Sequence, residues 1–535
     1  MKAHLLFEDR DLALDVQFSR RDGFTVKGPE LPTRAAALVQ DLELTTVLRA
    51  MAGKDPLVFD VAKLVLLSSL AGPAQITYRQ DILFDCIAHP EVARELYGIA
   101  AGALVKESEI WSPFLNDPPY LLDHAVKVLE VLLVQLKQLR KIADDNVAKV
   151  TSKGLTTLFS MLQAELSDDY FGEVEEHLKK MQWKTGVLSS ARLGKGNRGS
   201  GYVLRSPNRT KRTWKERVGL GPRTSYSFEV SPRDEAGFRT LTELKGRGLN
   251  LAANALSQSS DHVLSFFALL CGELSFYVGC LNLHDQLVAK GEPVCAPMPL
   301  PPERDALSYQ GIYDVSLALR SGERLVGNRA DAEDKSLIMI TGANSGGKST
   351  LLRSIGQAQL MMQCGMFVGA EVFQANVAEA VFTHFIREED KTMRSGKLDE
   401  ELARMSVIAD EVVPRSLVLF NESFAATNER EGSEIARQVV EALLESGVKV
   451  VFVTHQFTLA NTFYAKGEST ALFLRAQRAA DGRRTFKLEE GEPLPTSFGE
   501  DVYRRVGGWT GTALTGAKSS LVPSNDGADR AEDQG

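Results

Sequence analysis

The sequence has few cysteines, and none of them are closely paired. Five cysteines occur in 535 residues, an odd number, and no C-x-x-C pair is present. This usage argues against a disulfide framework and against a structural zinc site. The first residues, MKAHLLFEDRDL, meet acidic side chains before any long apolar stretch, so no signal peptide is expected. These features predict reduced thiols and a cytoplasmic protein.

Long apolar runs are also scarce, and a single stretch, residues 263–281, is apolar enough to suggest a membrane span. Glu273 lies near its middle, where a charged side chain would cost about 3 kcal/mol in a bilayer. The larger side chains fall on one helical face: Leu264, Phe267, Leu270, Leu274, Tyr277 and Leu281. We therefore interpret this stretch as a buried core helix.

The chain lacks the positive net charge of a protein that coats nucleic acid. It carries 62 Lys and Arg against 70 Asp and Glu, a net charge of -8, so nucleic-acid contact would need a local basic patch. Residues 184–223 supply one, because they hold eleven basic residues and one acid. Two interpretations stay open: a phosphate-binding surface in a small β-rich insertion, or a solvated loop. The candidate contacts are Arg192, Lys195, Arg198, Arg205, Arg209, Lys211 and Arg212.

What the sequence does contain is a phosphate-loop pattern with the expected flanks. An apolar run at 337–340 leads into GANSGGKS, which fits G-x-x-x-x-G-K-[ST], and apolar residues at helical spacing follow. Glycines let backbone N–H groups converge on phosphate oxygens, and a helix start adds its positive dipole end. Lys348 is expected to reach the β- and γ-phosphates and Ser349 to contact Mg²⁺. The candidate nucleotide-binding residues are Gly342, Ala343, Asn344, Ser345, Gly346, Gly347, Lys348, Ser349 and Thr350.

Two later apolar runs end in polar residues, as strands of a parallel sheet do at a ligand site. Residues 417–420 lead to Asn421 and Glu422, and residues 448–454 lead to His455. Glu422 is placed to orient or deprotonate an attacking water, and His455 to contact the γ-phosphate. The alternative for a histidine after a strand is a purely structural role. Glu422, His455 and Lys348 are the predicted catalytic residues.

These motifs resemble the ATPase of the MutS family of DNA mismatch-repair proteins. TGANSGGKST is similar to that family's TGPNMGGKST, and LVLFNESFAATNEREGSEIA to its LVLxDExGRGTSxxDGxxxA segment. The segments THQFTLA and LPTSFGEDVYRRVGG also have counterparts there. Ala343 and Ser345 replace the family's proline and methionine, and Asn421 replaces its magnesium-linked aspartate.

The resemblance implies an ATPase that uses ATP and Mg²⁺, with Ser349 and Asn421 at the metal. It also implies a homodimer in which Ser395 and Gly396 reach across to the partner's nucleotide. The implied fold is multidomain: an α-helical core with long lever helices and a clamp-like β-rich insertion, followed by an α/β P-loop (ABC-type) ATPase domain. About 50 residues precede the core, too few for the family's mismatch-reading and connector domains.

The expected divisions of the chain follow from these patterns. They are an unassigned segment (1–40), helical core and lever (41–183), basic insertion (184–233), returning helices (234–292), linker and start of the nucleotide domain (293–335), ATPase domain (336–510) and disordered tail (511–535).

Two classes of function remain open. The first is an ATP-dependent protein that binds structured or damaged DNA in repair or recombination, as a dimeric clamp without a membrane partner. The second is an ATP-gated assembly or remodelling factor acting on RNA, ribosomes or a protein partner. Nothing in the basic insertion distinguishes DNA from RNA phosphates.

Overall fold

The first half of the chain is mainly helical. The computed structural model describes residues 1–11, 13–110, 117–181, 188–197, 199–205, 231, 233–342, 346–387, 396–478 and 484–494. The elements of this half are β1 (Asp15–Ser19), β2 (Gly23–Lys27), α1 (Ala35–Asp41), α2 (Leu44–Ala52), α3 (Pro56–Leu67), α4 (Pro73–Ala88), α5 (Pro90–Ser108), α6 (Pro118–Asn146), α7 (Lys153–Glu165), α8 (Asp168–Met181), β3 (Ser189–Leu193), β4 (Gly199–Leu204) and α9 (Glu235–Ala289). The predicted tail at 511–535 lies outside the described residues.

The helix α6 has the apolar stripe that the sequence predicts. Leu129, Leu132, Leu136 and Leu139 are buried, and Pro118 starts the helix at a position where a missing N–H costs nothing. Its buried face packs along α9 and against α5. The stripe therefore fixes two long helices side by side.

The helix α9 is one continuous element of 55 residues, which spans roughly 80 Å at 1.5 Å per residue. Residues 246–289 are long and apolar enough to cross a membrane, but 78% of the most apolar window is buried inside this fold. Glu273 is 1% exposed, and its carboxylate accepts the Leu5 N–H at 2.6 Å. The segment around Glu273 is a core helix, as predicted.

The buried Arg79 joins three parts of the chain. Its guanidinium donates from Nε to the Leu6 carbonyl (2.6 Å) and from Nη1 to the Cys364 carbonyl (3.1 Å). Gly365, with φ of 84°, leaves the room that this side chain needs, because a Cβ there would lie 2.4 Å from the Arg79 Cβ. The amino-terminal segment, α4 and the region after residue 363 are thus held together at one point.

The second half of the chain contains two sheets and their helices. Its elements are β5 (Met298–Leu300), β6 (Leu307–Ile312), α10 (Val315–Arg320), β7 (Asn328–Asp331), β8 (Leu337–Thr341), α11 (Lys348–Gln363), β9 (Val372–Asn376), β10 (Val381–Phe385), α12 (Lys397–Glu411), β11 (Leu417–Asn421), α13 (Glu429–Glu445), β12 (Lys449–Val453), α14 (Phe457–Lys466), β13 (Ala471–Arg478) and β14 (Arg484–Glu490).

The larger sheet has six strands in the order β10-β11-β12-β8-β13-β14. Neighbours are parallel except β13 and β14, which are antiparallel. The strand β8 is buried at all five positions, which explains its continuous apolar run. The strand β12 lies between β11 and β8 and is parallel to both. The carboxyl ends of these three strands therefore lie at the same edge of the sheet.

The smaller sheet has the order β5-β9-β6-β7. Three of its strands lie in residues 293–335, the segment predicted to contain a proline-rich linker and the start of the nucleotide domain. Pro299 lies within β5, at the edge of the sheet, where a residue without an N–H is tolerated. Because prolines are uncommon in strands, the sequence did not predict β5.

Candidate nucleotide site

The segment between β8 and α11 has the backbone that its glycines predict. Gly342 and Gly347 have φ of 112° and 93°, a region that other residues rarely adopt. A Cβ on Gly342 would lie 2.8 Å from the Ala476 backbone nitrogen. Gly346 is described just before Gly347, whereas Ala343, Asn344 and Ser345 lie outside the described residues.

Lys348, the first residue of α11, turns back towards the loop. Its side chain is 4% exposed, and Nζ donates to the Gly342 carbonyl at 2.8 Å. Burial lowers the pKa of this lysine, and the nearby Glu422 carboxylate partly offsets the effect. A buried ammonium group held over the loop is suited to an anionic ligand.

Ser349 and Asn421 meet across two elements, although 72 residues separate them in the chain. The Ser349 hydroxyl donates to the Asn421 Oδ1 at 2.8 Å, one from the start of α11 and the other from the end of β11. A hydroxyl and an amide oxygen are ligands of the type that Mg²⁺ takes in proteins. The pair therefore fits the predicted metal position. Thr350 follows in the first turn of the same helix.

Glu422 and His455 face each other beyond the ends of β11 and β12. His455 Nδ1 lies 3.6 Å from Glu422 Oε2, and both side chains are partly exposed. The imidazole lowers the pKa of Glu422 through its N–H and its charge, and Lys348 adds to the effect. In return, Glu422 raises the pKa of His455. The carboxylate is thus kept ionised beside a protonatable imidazole.

A cavity of about 1150 Å³ is lined in part by residues of β6, β7 and β14, and it was not predicted from the sequence. Leu325, Val326 and Asn328 are among its lining residues. Asn328 Nδ2 donates to the Phe486 carbonyl at 3.2 Å, and a Cβ on Gly347 would lie 3.3 Å from that same oxygen. The cavity is thus connected to the phosphate-loop segment through Phe486. The sequence signal at this place is the short segment Leu325-Val326-Gly327, which leads into β7 at Asn328.

The structure describes three of the seven predicted nucleic-acid contacts. Arg192, Lys195 and Arg205 are exposed on the β3–β4 hairpin or directly after it. Arg205 Nε donates to the Ser190 hydroxyl at 2.9 Å, across the hairpin. Arg198, Arg209, Lys211 and Arg212 lie outside the described residues, as does Ser395. Gly396 is described as the residue preceding α12.

Comparison with known protein families matches two regions of the chain. Residues 71–290 match the family model of the MutS2 N-terminal domain, and residues 338–508 match that of MutS domain V.

Three similar proteins illustrate the range of the relatives. The DNA mismatch repair protein MutS of Porphyromonas gingivalis is 33% identical over 182 residues, which are 33% of this chain and 20% of that protein. The MutS protein homolog 4 of Homo sapiens is 27% identical over 289 residues, covering 52% and 30%. The Endonuclease MutS2 of Thermus thermophilus is 34% identical over 123 residues, covering 23% and 16%. The matched region therefore spans less than a third of each of these relatives.

Proposed function

Because the chain belongs to the MutS family, we propose that it is an ATP-hydrolysing protein that binds structured or damaged DNA and closes on it as an ATP-gated dimer. The observation that carries this proposal is the Ser349–Asn421 contact at 2.8 Å. It brings the start of the phosphate-loop helix to the strand end that also leads to Glu422. The residues proposed to hold the metal and the phosphates are thus next to the carboxylate proposed to activate water.

Each site residue has a specific task in this proposal. Lys348 neutralises phosphate charge, while Ser349 and Asn421 hold Mg²⁺. Two protein oxygens make a small ligand set, which suits an ion that arrives with nucleotide phosphates. When bound, the metal offsets the charge that develops on the phosphates. Glu422 orients the attacking water and accepts its proton, and His455 lies ready to contact the γ-phosphate.

The cavity beside Phe486 is the proposed place for the nucleoside part of ATP. Leu325 and Val326 contribute apolar side chains to its lining, which is otherwise mainly polar and includes the carboxylates of Glu292, Asp331, Glu371, Glu489 and Glu490. Its volume of about 1150 Å³ exceeds what a nucleoside needs.

The long helices and the hairpin form the proposed DNA-binding part. The hairpin rests on α9, since a Cβ on Gly248 would lie 3.2 Å from Ser189. Its exposed Arg192, Lys195 and Arg205 offer charge to phosphates without base specificity. In this proposal α6 and α9 act as levers between the hairpin and the nucleotide site. Ser395 and Gly396 complete the partner's nucleotide site in the homodimer.

The test of the DNA-binding part is a charge reversal with a matched control. Arg192, Lys195 and Arg205 are replaced by Glu, and the control replaces Arg20, Arg21 and Lys27, which are exposed on or beside the β1–β2 hairpin. Binding of branched DNA is measured across a salt series. Each lost phosphate contact lowers the slope of log K against log salt by about 0.9, so the first variant should lose up to about three units.

The control variant should keep the parent slope, and ATP turnover without DNA should persist in both variants. Equal slopes in the hairpin variant and the parent would contradict the assignment of this surface. Structured RNA and plain duplex DNA are measured in the same series. Tighter binding of RNA at every salt concentration would favour the assembly-factor alternative over DNA.

A further inference from the structure

The loop that carries Glu422 has a strained backbone. Glu422 and Phe424 have φ of 54° and 62°, which non-glycine residues adopt only where the surroundings hold them. Between them, Ser423 is 1% exposed, and Phe424 itself is fully buried. The Glu422 N–H donates to the Val453 carbonyl at 2.9 Å, which fixes the start of the loop to β12. Other contacts must fix its end.

Phe424 is held at both of its backbone polar groups. Its N–H donates to the Glu401 carboxylate of α12, and its carbonyl accepts from Gln456 Nε2 at 3.4 Å. Gly432 of α13 lies against the same carbonyl, and a Cβ there would be 2.2 Å from the oxygen. The loop end is therefore confined by three different elements.

His384 fixes the middle of the loop from β10. Its ring stacks on Phe424 with centroids 5.3 Å apart and an angle of 20° between planes. Nδ1 lies 2.7 Å from the Ser423 hydroxyl, and Nε2 lies 2.9 Å from the Glu401 carbonyl oxygen. Burial lowers the pKa of His384 to about 4, so the ring is neutral near pH 7. Because a carbonyl can only accept, Nε2 carries the proton, and the single proton of the Ser423 hydroxyl is directed at the His384 carbonyl oxygen (2.5 Å) beside Nδ1.

The environment of the Glu401 carboxylate indicates why a glutamate occupies this buried position. Oε1 is buried and has no hydrogen-bond partner among the described residues, and burial raises the pKa of Glu401. A buried carboxylate with one unsatisfied oxygen is unfavourable for folding. The Glu401 side chain accepts the hydrogen bond of the Phe424 N–H, and an apolar side chain at this position could not do so.

We propose that Glu401 is a positioning residue for ATP hydrolysis, which holds Glu422 in place through the backbone N–H of Phe424. His384 acts with it through Ser423. This inference rests on the proposed ATPase, because Glu401 holds Phe424, two positions beyond the predicted water-activating carboxylate. Neither Glu401 nor His384 has a described contact with Lys348 or Ser349. Loss of Glu401 is therefore expected to lower kcat and to leave the binding of Mg-ATP unchanged.

The experiment compares two substitutions of Glu401 with a neighbour on the same helix. Glu401→Leu removes the acceptor at similar volume, Glu401→Gln keeps an acceptor oxygen without the charge, and Asp410→Asn removes an exposed carboxylate from α12. Glu401→Leu should lower kcat roughly tenfold or more with KM for Mg-ATP within about twofold, since small misplacements of a catalytic group are costly. Glu401→Gln should recover most of the rate, and Asp410→Asn should match the parent.

A double-mutant cycle shows whether Glu401 acts through Glu422. In the Glu422→Gln background, measured by single-turnover hydrolysis, Glu401→Leu should cause no further loss. A loss of the same factor in both backgrounds would overturn the proposal, because it would show an effect independent of Glu422. Equal kcat in Glu401→Leu and the parent would also overturn it.

Two further results keep the test decisive. If Glu401→Leu does not fold, Ser423→Ala takes its place in the same cycle, and an unchanged kcat in that variant would reject the network. If the parent hydrolyses ATP and Glu422→Gln abolishes it, a negative result at Glu401 rejects the positioning role alone. If the parent does not hydrolyse ATP, the proposed function fails first and this inference fails with it.

Discussion

Asn421 stands where the MutS pattern has an aspartate, and its surroundings predict what that exchange does. Its Oδ1 accepts the Ser349 hydroxyl, so the oxygen is present, but the amide brings no negative charge. Attraction between a carboxylate and a divalent ion amounts to several kcal/mol at an effective dielectric near 20, before desolvation is subtracted. Asn421→Asp should therefore lower the Mg²⁺ concentration for half-maximal ATP hydrolysis and keep or raise the maximal rate.

A magnesium titration at fixed ATP tests this expectation. If the aspartate variant needs as much Mg²⁺ as the parent, or more, Asn421 is not at the metal.

The ion pair of Glu422 and His455 predicts a pH dependence. His455 lowers the pKa of Glu422, so the carboxylate stays ionised to a lower pH than an isolated glutamate would. His455→Gln removes the cationic partner, and the pKa of Glu422 should rise towards its usual value. The acid limb of the profile of kcat against pH should then move to higher pH. An acid limb at the same pH in both proteins would show that His455 does not lower the pKa of Glu422.

Among the elements, the helix pair α4 and α11 depends on the buried Arg79. This side chain is 1% exposed and donates to carbonyls at Leu6 and Cys364, the residue directly after α11. Arg79→Met leaves two buried carbonyls without their donor, which should lower the free energy of unfolding by about 2–4 kcal/mol.

Arg94→Met is the control, because Arg94 pairs with Asp285 at 3.0 Å near the surface and should cost only about 0–1 kcal/mol. Chemical denaturation measures both variants. Similar losses in the two would contradict the joining role of Arg79.

The sequence predicted some elements well because a single physical signal defined them. The runs at 337–340 and 417–420 are continuous and apolar, as in strands buried on both faces, and the structure has β8 and β11 there. The resemblance to the MutS family implied that Ser349 and Asn421 lie at one metal, and the two side chains are in contact. Their chemical roles stay predictions.

Other elements gave no such signal. The strand β5 contains Pro299, and its place at a sheet edge becomes visible only with its partner β9. The contact of His384 with Ser423 joins residues 39 positions apart, and that of Glu401 with Phe424 joins residues from a helix and a loop. Each of these side chains alone is an ordinary polar residue in an ordinary pattern. His384, Glu401 and Ser423 are buried because β10, α12 and the loop after β11 pack together. The spacing of residues within one segment does not predict such packing.

At the scale of the whole molecule, the continuous helix α9 contacts both the β3–β4 hairpin and the helices α2, α3, α5 and α6 of the first half. In the proposed ATP-gated dimer, closure requires the nucleotide to persist, so blocking hydrolysis should trap the closed form. Glu422→Gln keeps the shape of the side chain but removes the base for the attacking water. With Mg-ATP this variant should form a stable dimer by light scattering, whereas Lys348→Ala should not respond to ATP. A Glu422→Gln protein that stays monomeric with Mg-ATP would contradict closure across two nucleotide sites.

The central claim is that the segment from Gly342 to Ser349 binds and positions the phosphates of ATP. The most direct measurement is steady-state hydrolysis of Mg-ATP by the parent and by Lys348→Ala, with thermal unfolding of both proteins recorded alongside. Lys348 is buried over the loop and donates to the Gly342 carbonyl at 2.8 Å, so its loss should reduce turnover roughly a hundredfold while the fold persists. Turnover and ATP affinity equal to those of the parent in a folded Lys348→Ala protein would contradict the account.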